Sequence, residues 1–404
     1  MAGEAETEAA GGGGMSGGAG GGGPTLLIVT GEASGDLHAG HLLSAIRRAA
    51  PGTRAFGIGG ATLEAAGCEL VRRIDEMQVM GFVEVLGAIP RLRRIQREIL
   101  ARCRSERPDA AILVDYPGFN LNIARKLKRL GIPVIYYISP QIWAWWPSRV
   151  KKMRGVVDLM LVLFGFETEV YESAGVPVKW VGHPLVDAAR DWPSRAEARE
   201  RLGVGEETRV VALLPGSRPQ EIGRHLATFA AGAAKIAEGL DGAEVRVVAA
   251  EAESLPEGTI TGALGDSSGV EVVRGGAPAV MRAADVAVVA SGTATLETAL
   301  AGTPMVVCYR TSFLTYLGAK LLISVPYIAL VNVVAGRGVV PELIQGDMTP
   351  DRISEEALRI LRDAALRARQ IEGLAGVAHR LGEPGGSERA AAAVVDFLAR
   401  RQKG

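Results

Sequence analysis

Two doubly wound α/β domains facing each other across a cleft are the fold that this sequence predicts, and three observations predict it. From Thr25 onward, short runs rich in Val and Ile alternate with helix-length segments, the rhythm of a parallel sheet wrapped by helices. That rhythm breaks once, at Asp187–Glu207 (DAARDWPSRAEARERLGVGEE), which is polar and helical with no strand signal, and then resumes. At 404 residues the chain also exceeds one ordinary core, since about 150 residues per domain gives two or three.

The first series of strands is expected at Thr25–Thr30, Arg54–Gly59, Ala110–Asp115, Val134–Ser139, Leu159–Phe164 and Lys179–Gly182. The second is expected at Arg209–Leu214, Glu244–Ala250, Val270–Arg274, Val286–Ala290 and Met305–Tyr309. This divides the chain into a glycine-rich extension (1–23), a first domain (24–186), a linker (187–207), a second domain (208–375) and a helical tail (376–404). Within the tail, Ser387–Arg401 (SERAAAAVVDFLARR) reads as an amphipathic helix capped at Ser387, packing back on the first domain or on a second subunit.

Composition narrows the function classes. Lys plus Arg and Asp plus Glu both total 45, so no net charge draws the chain to nucleic acid. Cys68, Cys103 and Cys308 are odd in number and far apart, which spells neither a disulfide framework nor a metal-binding pair, and fits a reducing cytoplasm. Residues 1–23 hold eleven glycines and acids but no base, the mark of a disordered extension rather than a signal or transit peptide. The one membrane-length apolar run, Phe313–Gly336, is interrupted by Lys320, Pro326 and Asn332, which argues for a buried or membrane-touching segment over a plain span.

In doubly wound sheets ligands bind beyond the carboxyl ends of the strands, so chemistry is sought in the loops there. In the second domain Leu213-Leu214 runs into PGSRPQEI. Gly216 and Ser217 leave N–H groups free at a helix start, which suits a phosphate, and Arg218 adds a forked charge; an ordinary turn with an exposed arginine is the plain alternative. Next, ASGTATLE (Ala290–Glu297) repeats the design with Ser291, Gly292 and Thr293, and places Glu297 one turn in, where it accepts from ribose hydroxyls. Packing economy between helix and sheet is the alternative there.

In the first domain, LVDYPGFN puts Asp115 at what counts as the third strand's carboxyl end, before a sharp turn at Pro117-Gly118. A carboxylate there can take a proton from an attacking hydroxyl; a helix-capping aspartate is the alternative. The loop ISPQIWAWWPSRVKKM gathers Trp143, Trp145 and Trp146 beside Arg149, Lys151 and Lys152, which suits sugars, acyl chains or phosphates, or a packed helix with a basic face. From Met77 to Arg104 an apolar half, with Val79, Phe82, Val85 and Leu86, precedes a half bearing Arg91, Arg93, Arg94, Arg97, Arg102 and Arg104. That pairing fits an interfacial membrane anchor, or a core helix with a solvated basic face. His38 and His41 lack a third ligand for a metal, and no Ser, His and Asp set argues for a hydrolase triad.

Taken in order, GEASGD, MGFVEV, DYPGFN, SPQIWAW, GHPLVD, LPGSR, ASGTATLE and VNVVAGRGVVPELIQ resemble the lipid-A-disaccharide synthase family from Leu26 to the C-terminus. The resemblance implies a GT-B fold and an inverting, metal-independent glycosyltransferase with no cofactor. It would join UDP-2,3-diacylglucosamine to 2,3-diacylglucosamine 1-phosphate by a β-1,6 bond, peripherally on the cytoplasmic face of the inner membrane and in a possible homodimer. By the same resemblance Asp115 would be the base, Arg218 with Ser291–Thr293 would hold the leaving diphosphate, Glu297 the ribose, and Asn332 with Arg337 the donor pocket. Two departures stand out: Val331 replaces the family's usual proline before Asn332, and Gly165-Phe166-Glu167 replaces Pro-Phe-Glu.

The opening loop GEASGDLHAG looks like a nucleotide turn, but its spacing is Gly-x-x-x-Gly, and Asp36 in the first helical turn would repel a diphosphate. Gly31, Ser34, Gly35 and Asp36, with Asn120, are therefore assigned to the acceptor. Another two-Rossmann enzyme, a UDP-N-acetylglucosamine transferase or a UDP-sugar 2-epimerase, is the nearest rival, and a non-catalytic carrier of the same fold is a rival of a different class.

Overall fold

A computed structural model describes residues 22–77, 82–140, 150–265, 269–311 and 326–402, with backbone alone at 82–86, 88 and 402. The first sheet contains β1 (Thr25–Val29), β2 (Arg54–Gly59), β3 (Cys68–Arg73), β4 (Ala110–Val114), β5 (Val134–Tyr137), β6 (Leu159–Val162) and β7 (Val178–Trp180). Its order is β3-β2-β1-β4-β5-β6-β7, all neighbours parallel. The second contains β8 (Arg209–Leu214), β9 (Val245–Glu251), β10 (Val270–Arg274), β11 (Val286–Ala290), β12 (Met305–Tyr309) and β13 (Glu342–Ile344), in the order β10-β9-β8-β11-β12-β13, again all parallel.

Side-chain pattern explains which strands lie inside. β1 (TLLIV), β4 (AAILV) and β11 (VAVVA) are buried along their whole length, and β8 (RVVALL) after its first residue, because helices cover both faces of each sheet. Charge and partial exposure collect on the edges: β3 reads CELVRR and β7 reads VKW. The expectation missed β3 and β13 for that reason, since mixed polarity and a three-residue length carry little strand signal. Asp115 consequently follows the fourth strand, not the third.

Both sheets reverse direction of strand order at one point, between β1 and β4 and between β8 and β11. Register sets the exits level: Val29 lies opposite Leu113, and Leu214 opposite Val289. The turns after these four strands therefore stand in pairs, and they are the four motifs singled out above.

The linker is fixed to the second domain. Ser194 caps the helix Arg195–Arg201 in a capping box with Glu197. From that helix Arg195 reaches the buried carboxylate of Asp285 at 2.9 Å and the Ala284 carbonyl at 2.7 Å, and Arg199 donates to the carbonyls of Ala283 and Thr208. The chain returns to the first domain at Leu381–Gly386. The Leu381 carbonyl accepts from His183 N–H (2.8 Å), and Asp187 accepts from Gly385 and Gly386 N–H. The helix Gly386–Gln402 then packs along the helix Ala33–Ala49, as one of the two expected arrangements required. Before that return the helix Ala364–Arg380 belongs to the second domain, where Gln370 bonds the Met305 backbone.

Among the described residues no helix is long and apolar enough to cross a membrane. Residues 313–325 of the apolar run lie outside the described residues, and its end forms the short helix Leu330–Ala335 with Val331 and Asn332 fully buried. Both departures from the family pattern are sterically mild. Gly165 has φ −58°, a value proline shares, and Val331 is the second residue of its helix, where an N–H has no intrahelical acceptor.

Candidate active site

On the first-domain side, β4 ends in two consecutive non-glycine residues in the left-handed region, Asp115 (φ 47°) and Tyr116 (φ 45°). Such a pair is held, not relaxed. The Asp115 carbonyl accepts from buried Tyr136 Oη (2.6 Å) and Asn120 Nδ2 (2.7 Å), Asn120 also donates to Val114, and Pro117 starts the following helix. Tyr116 then lies over Gly31 so closely that a Cβ on Gly31 would sit 2.3 Å from its ring, while its hydroxyl donates to the Met77 carbonyl (3.0 Å). Burial first, and the Glu32 carboxylate second, push the Asp115 carboxyl above the usual aspartate range.

This geometry reassigns several expected acceptor contacts. Asp36 is turned inward and accepts from the N–H groups of Gly60 (2.6 Å), Thr62 (3.0 Å) and Leu63 (3.3 Å), so it caps the helix Ala61–Ala65 instead of meeting a sugar. Gly35 makes room for Thr30, and Gly31 for Tyr116, rather than for a ligand. Asn120 is fully buried and holds the Asp115 turn from behind. Ser34 alone of that set is exposed.

On the second-domain side, Pro215–Arg218 links β8 to the helix Pro219–Gly239, with Arg218 at its N-cap and Gly216 at φ 125°. Any Cβ at Gly216 would strike Glu221 at 2.4 Å, so both conformation and space demand glycine. Glu221 occupies the turn: its carboxylate accepts from Ser217 N–H (3.0 Å) and lies 3.5 Å from Arg218. Beneath it, buried His225 donates from Nδ1 to the Pro215 carbonyl (3.0 Å) and accepts at Nε2 from Arg310 N–H (3.1 Å), tying the turn to the end of β12 as the neutral ring that burial favours. Sequence reading passed over His225 and Glu221, although both sit within ten residues of Gly216 on one helix.

The neighbouring turn, Ser291–Thr293, opens the helix Ala294–Ala301. Ser291 is used internally, its N–H on Cys308 and its hydroxyl on Ile328, whereas the N–H groups of Gly292 and Thr293 have no acceptor among the described residues. Glu297 lies within that helix, and burial raises its carboxyl above the usual glutamate range. Asn332 does not face a pocket: it donates to Val340 and Glu342 and accepts from Val339 and Val340, so it organises its own loop. Arg337 is exposed on the following turn.

Across the cleft Arg218 Nη2 lies 3.8 Å from Glu32 Oε2, which brings the two switch points together. Of the basic stretch, Arg94 pairs with Glu98 and Arg102 with Glu69, while Arg93, Arg97 and Arg104 are exposed. Val79 and the tryptophans 143, 145 and 146 with Arg149 lie outside the described residues, as do the side chains of Phe82, Val85 and Leu86.

Paired Rossmann-like domains, with a half-buried carboxylate at one switch point and glycine turns with an arginine at the other, have the architecture of a GT-B glycosyltransferase. The family model for lipid-A-disaccharide synthetase matches residues 26–389. The chain is 45% identical to the lipid-A-disaccharide synthase of Myxococcus xanthus (strain DK1622) over 92% of its length and 97% of that relative, and 44% identical to that of Syntrophus aciditrophicus (strain SB) over the same shares. It belongs to the lipid-A-disaccharide synthase family. Solved structures agree on the fold: the glycotransferase of kitacinnamycin (TM-score 0.62, 18% identity, 93% of this chain and 99% of that one) and the UDP-GlcNAc 2-epimerase of Neisseria meningitidis (0.61, 12%, 93% and 100%). The rival readings as a different sugar-nucleotide enzyme are not favoured, because the whole-length relatives are synthases.

Proposed function

We propose that the chain transfers 2,3-diacylglucosamine from its UDP derivative to the 6-hydroxyl of 2,3-diacylglucosamine 1-phosphate, with Asp115 as general base. The acceptor hydroxyl gives its proton to the Asp115 carboxylate while its oxygen attacks the anomeric carbon from the face opposite UDP, inverting it to the β configuration. A raised carboxyl pKa suits this task, since a more basic carboxylate takes the proton more readily. Arg218 and the N–H groups of Gly216, Ser217, Gly292 and Thr293 receive the negative charge that grows on the leaving diphosphate. Glu297 accepts from the ribose hydroxyls, Arg337 closes the donor side, and Ser34 meets the acceptor sugar.

The observation that supports this reading is the approach of Glu32, beside the Asp115 turn, to Arg218 of the second domain. Acylated substrates bring the site to a lipid surface, so we place the enzyme peripherally on the cytoplasmic face of the inner membrane, with the exposed Arg97 and Arg104 toward lipid phosphates. The test is incubation of purified protein with both substrates, with and without EDTA, and mass detection of the disaccharide. Product that survives EDTA is expected; no product, or equal rates from wild type and Asp115→Ala, would overturn the proposal.

A further inference from the structure

Beside the Asp115 turn the helices Phe82–Glu106 and Pro117–Arg129 enclose a cavity of about 690 Å³. Ile89, Leu92 and Phe119 supply apolar wall, and Tyr116, the residue after Asp115, forms the end nearest the base. No carboxylate is among its described lining residues. Its polar part is a short chain of neutral groups ending in a cation. Gln96, 5% exposed, donates from Nε2 to Asn122 Oδ1 (3.1 Å), and Lys126 Nζ donates to Gln96 Oε1. Lys126 is thus steered by an amide rather than neutralised by an acid, and exposed Arg93 has no ion pair among the described residues.

Two cations with no acidic partner among the described residues, at an apolar groove, select an amphiphile with an anionic head. We infer that this groove seats the acceptor, one acyl chain between Leu92 and Phe119 and the 1-phosphate on Arg93 and Lys126. The inference rests on the transferase reading above, and position decides between the two substrates. The donor's phosphates have their seat in the second domain, whereas this groove opens at the residue adjoining the base. A headgroup of a bulk phospholipid offers the same phosphate chemistry, and the test separates it.

Kinetics in neutral detergent without phospholipid compare wild type with Leu92→Trp, Arg93→Ala and Lys126→Ala, all checked by circular dichroism and UDP binding. Each variant is expected to raise KM for the acceptor about tenfold while leaving KM for the donor unchanged. With a deacylated acceptor the Leu92→Trp effect should vanish, and with an acceptor lacking its phosphate the Arg93→Ala and Lys126→Ala effects should vanish. Folded variants with unchanged acceptor KM, or with a shift in donor KM instead, overturn the inference. So does a defect confined to assays on vesicles of anionic phospholipid, which would assign the groove to a lipid headgroup. Calorimetric titration with the acceptor alone needs no turnover: loss of its binding in Arg93→Ala supports the groove even if the transferase reading fails, and unchanged binding sinks it.

Discussion

At the first-domain switch point the chain leaves β4 through two strained non-glycine residues, Asp115 and Tyr116, flanked by the carboxylate of Glu32. At the second it leaves β8 through Gly216 and β11 through Gly292, with Arg218 at the helix start. The strand order is the same apart from the extra edge strand β7, and the charge at the turns is opposite. Left-handed backbone at a non-glycine residue costs about 1–2 kcal/mol each, so the hydrogen bonds of Tyr136 and Asn120 to Asp115 serve to hold a carboxylate in one place. Glycine relieves that strain in the other domain, where the proposed contacts to the diphosphate are made by backbone N–H groups. An acid/base group needs a fixed, desolvated side chain; a diphosphate needs open backbone and positive charge.

Breaking the first side should have the largest effect. Asp115→Ala is expected to lower kcat by about 10²–10⁴-fold with UDP affinity retained, read by disaccharide formation and UDP titration. On the second side, Arg218→Ala should lower kcat/KM by about 10²–10³-fold and weaken UDP binding, and Arg218→Lys should restore charge but not the fork. Removal of Asn332, which satisfies two backbone N–H groups, one of them buried, and two acceptors, should act on stability instead: Asn332→Ala is expected to cost about 2–3 kcal/mol in urea unfolding, with UDP affinity unchanged.

A smaller change sharpens the contrast in charge. Glu221 already takes the Ser217 N–H and faces Arg218, so it would compete with the phosphate proposed to bind there. Glu221→Gln should therefore tighten UDP binding about 2–5-fold, the size expected of one partly exposed charge. The smallest expected effect concerns pH. Glu32 contributes to the raised Asp115 pKa, so Glu32→Gln should lower that pKa and move the acid limb of the kcat/KM profile to lower pH. A limb that stays put or moves upward would separate Glu32 from the base.

Much of this was legible beforehand because its signals are local. Central strands declare themselves by unbroken apolar runs: Arg54–Gly59, Arg209–Leu214 and Val286–Ala290 fall at their expected bounds. Strand-turn-helix punctuation likewise marks Asp115, Gly216 and Ser291–Thr293, since a glycine or proline at a turn acts through its own backbone. Edge strands β3 and β13 escaped notice because half-exposed residues do not repeat with a clear period.

The sequence by itself determined the two sheets, the four switch-point turns and the family. Only the tertiary structure decided what each polar side chain does within them. Asp36 and Asn332 looked available, yet one caps a helix twenty-four residues on and the other is saturated by its own loop. His225 and the cavity bearing Arg93 and Lys126 could not be read from spacing, because they depend on which helices meet. Backbone turns are written by near neighbours, but whether a buried polar group is already satisfied is settled by residues distant in sequence.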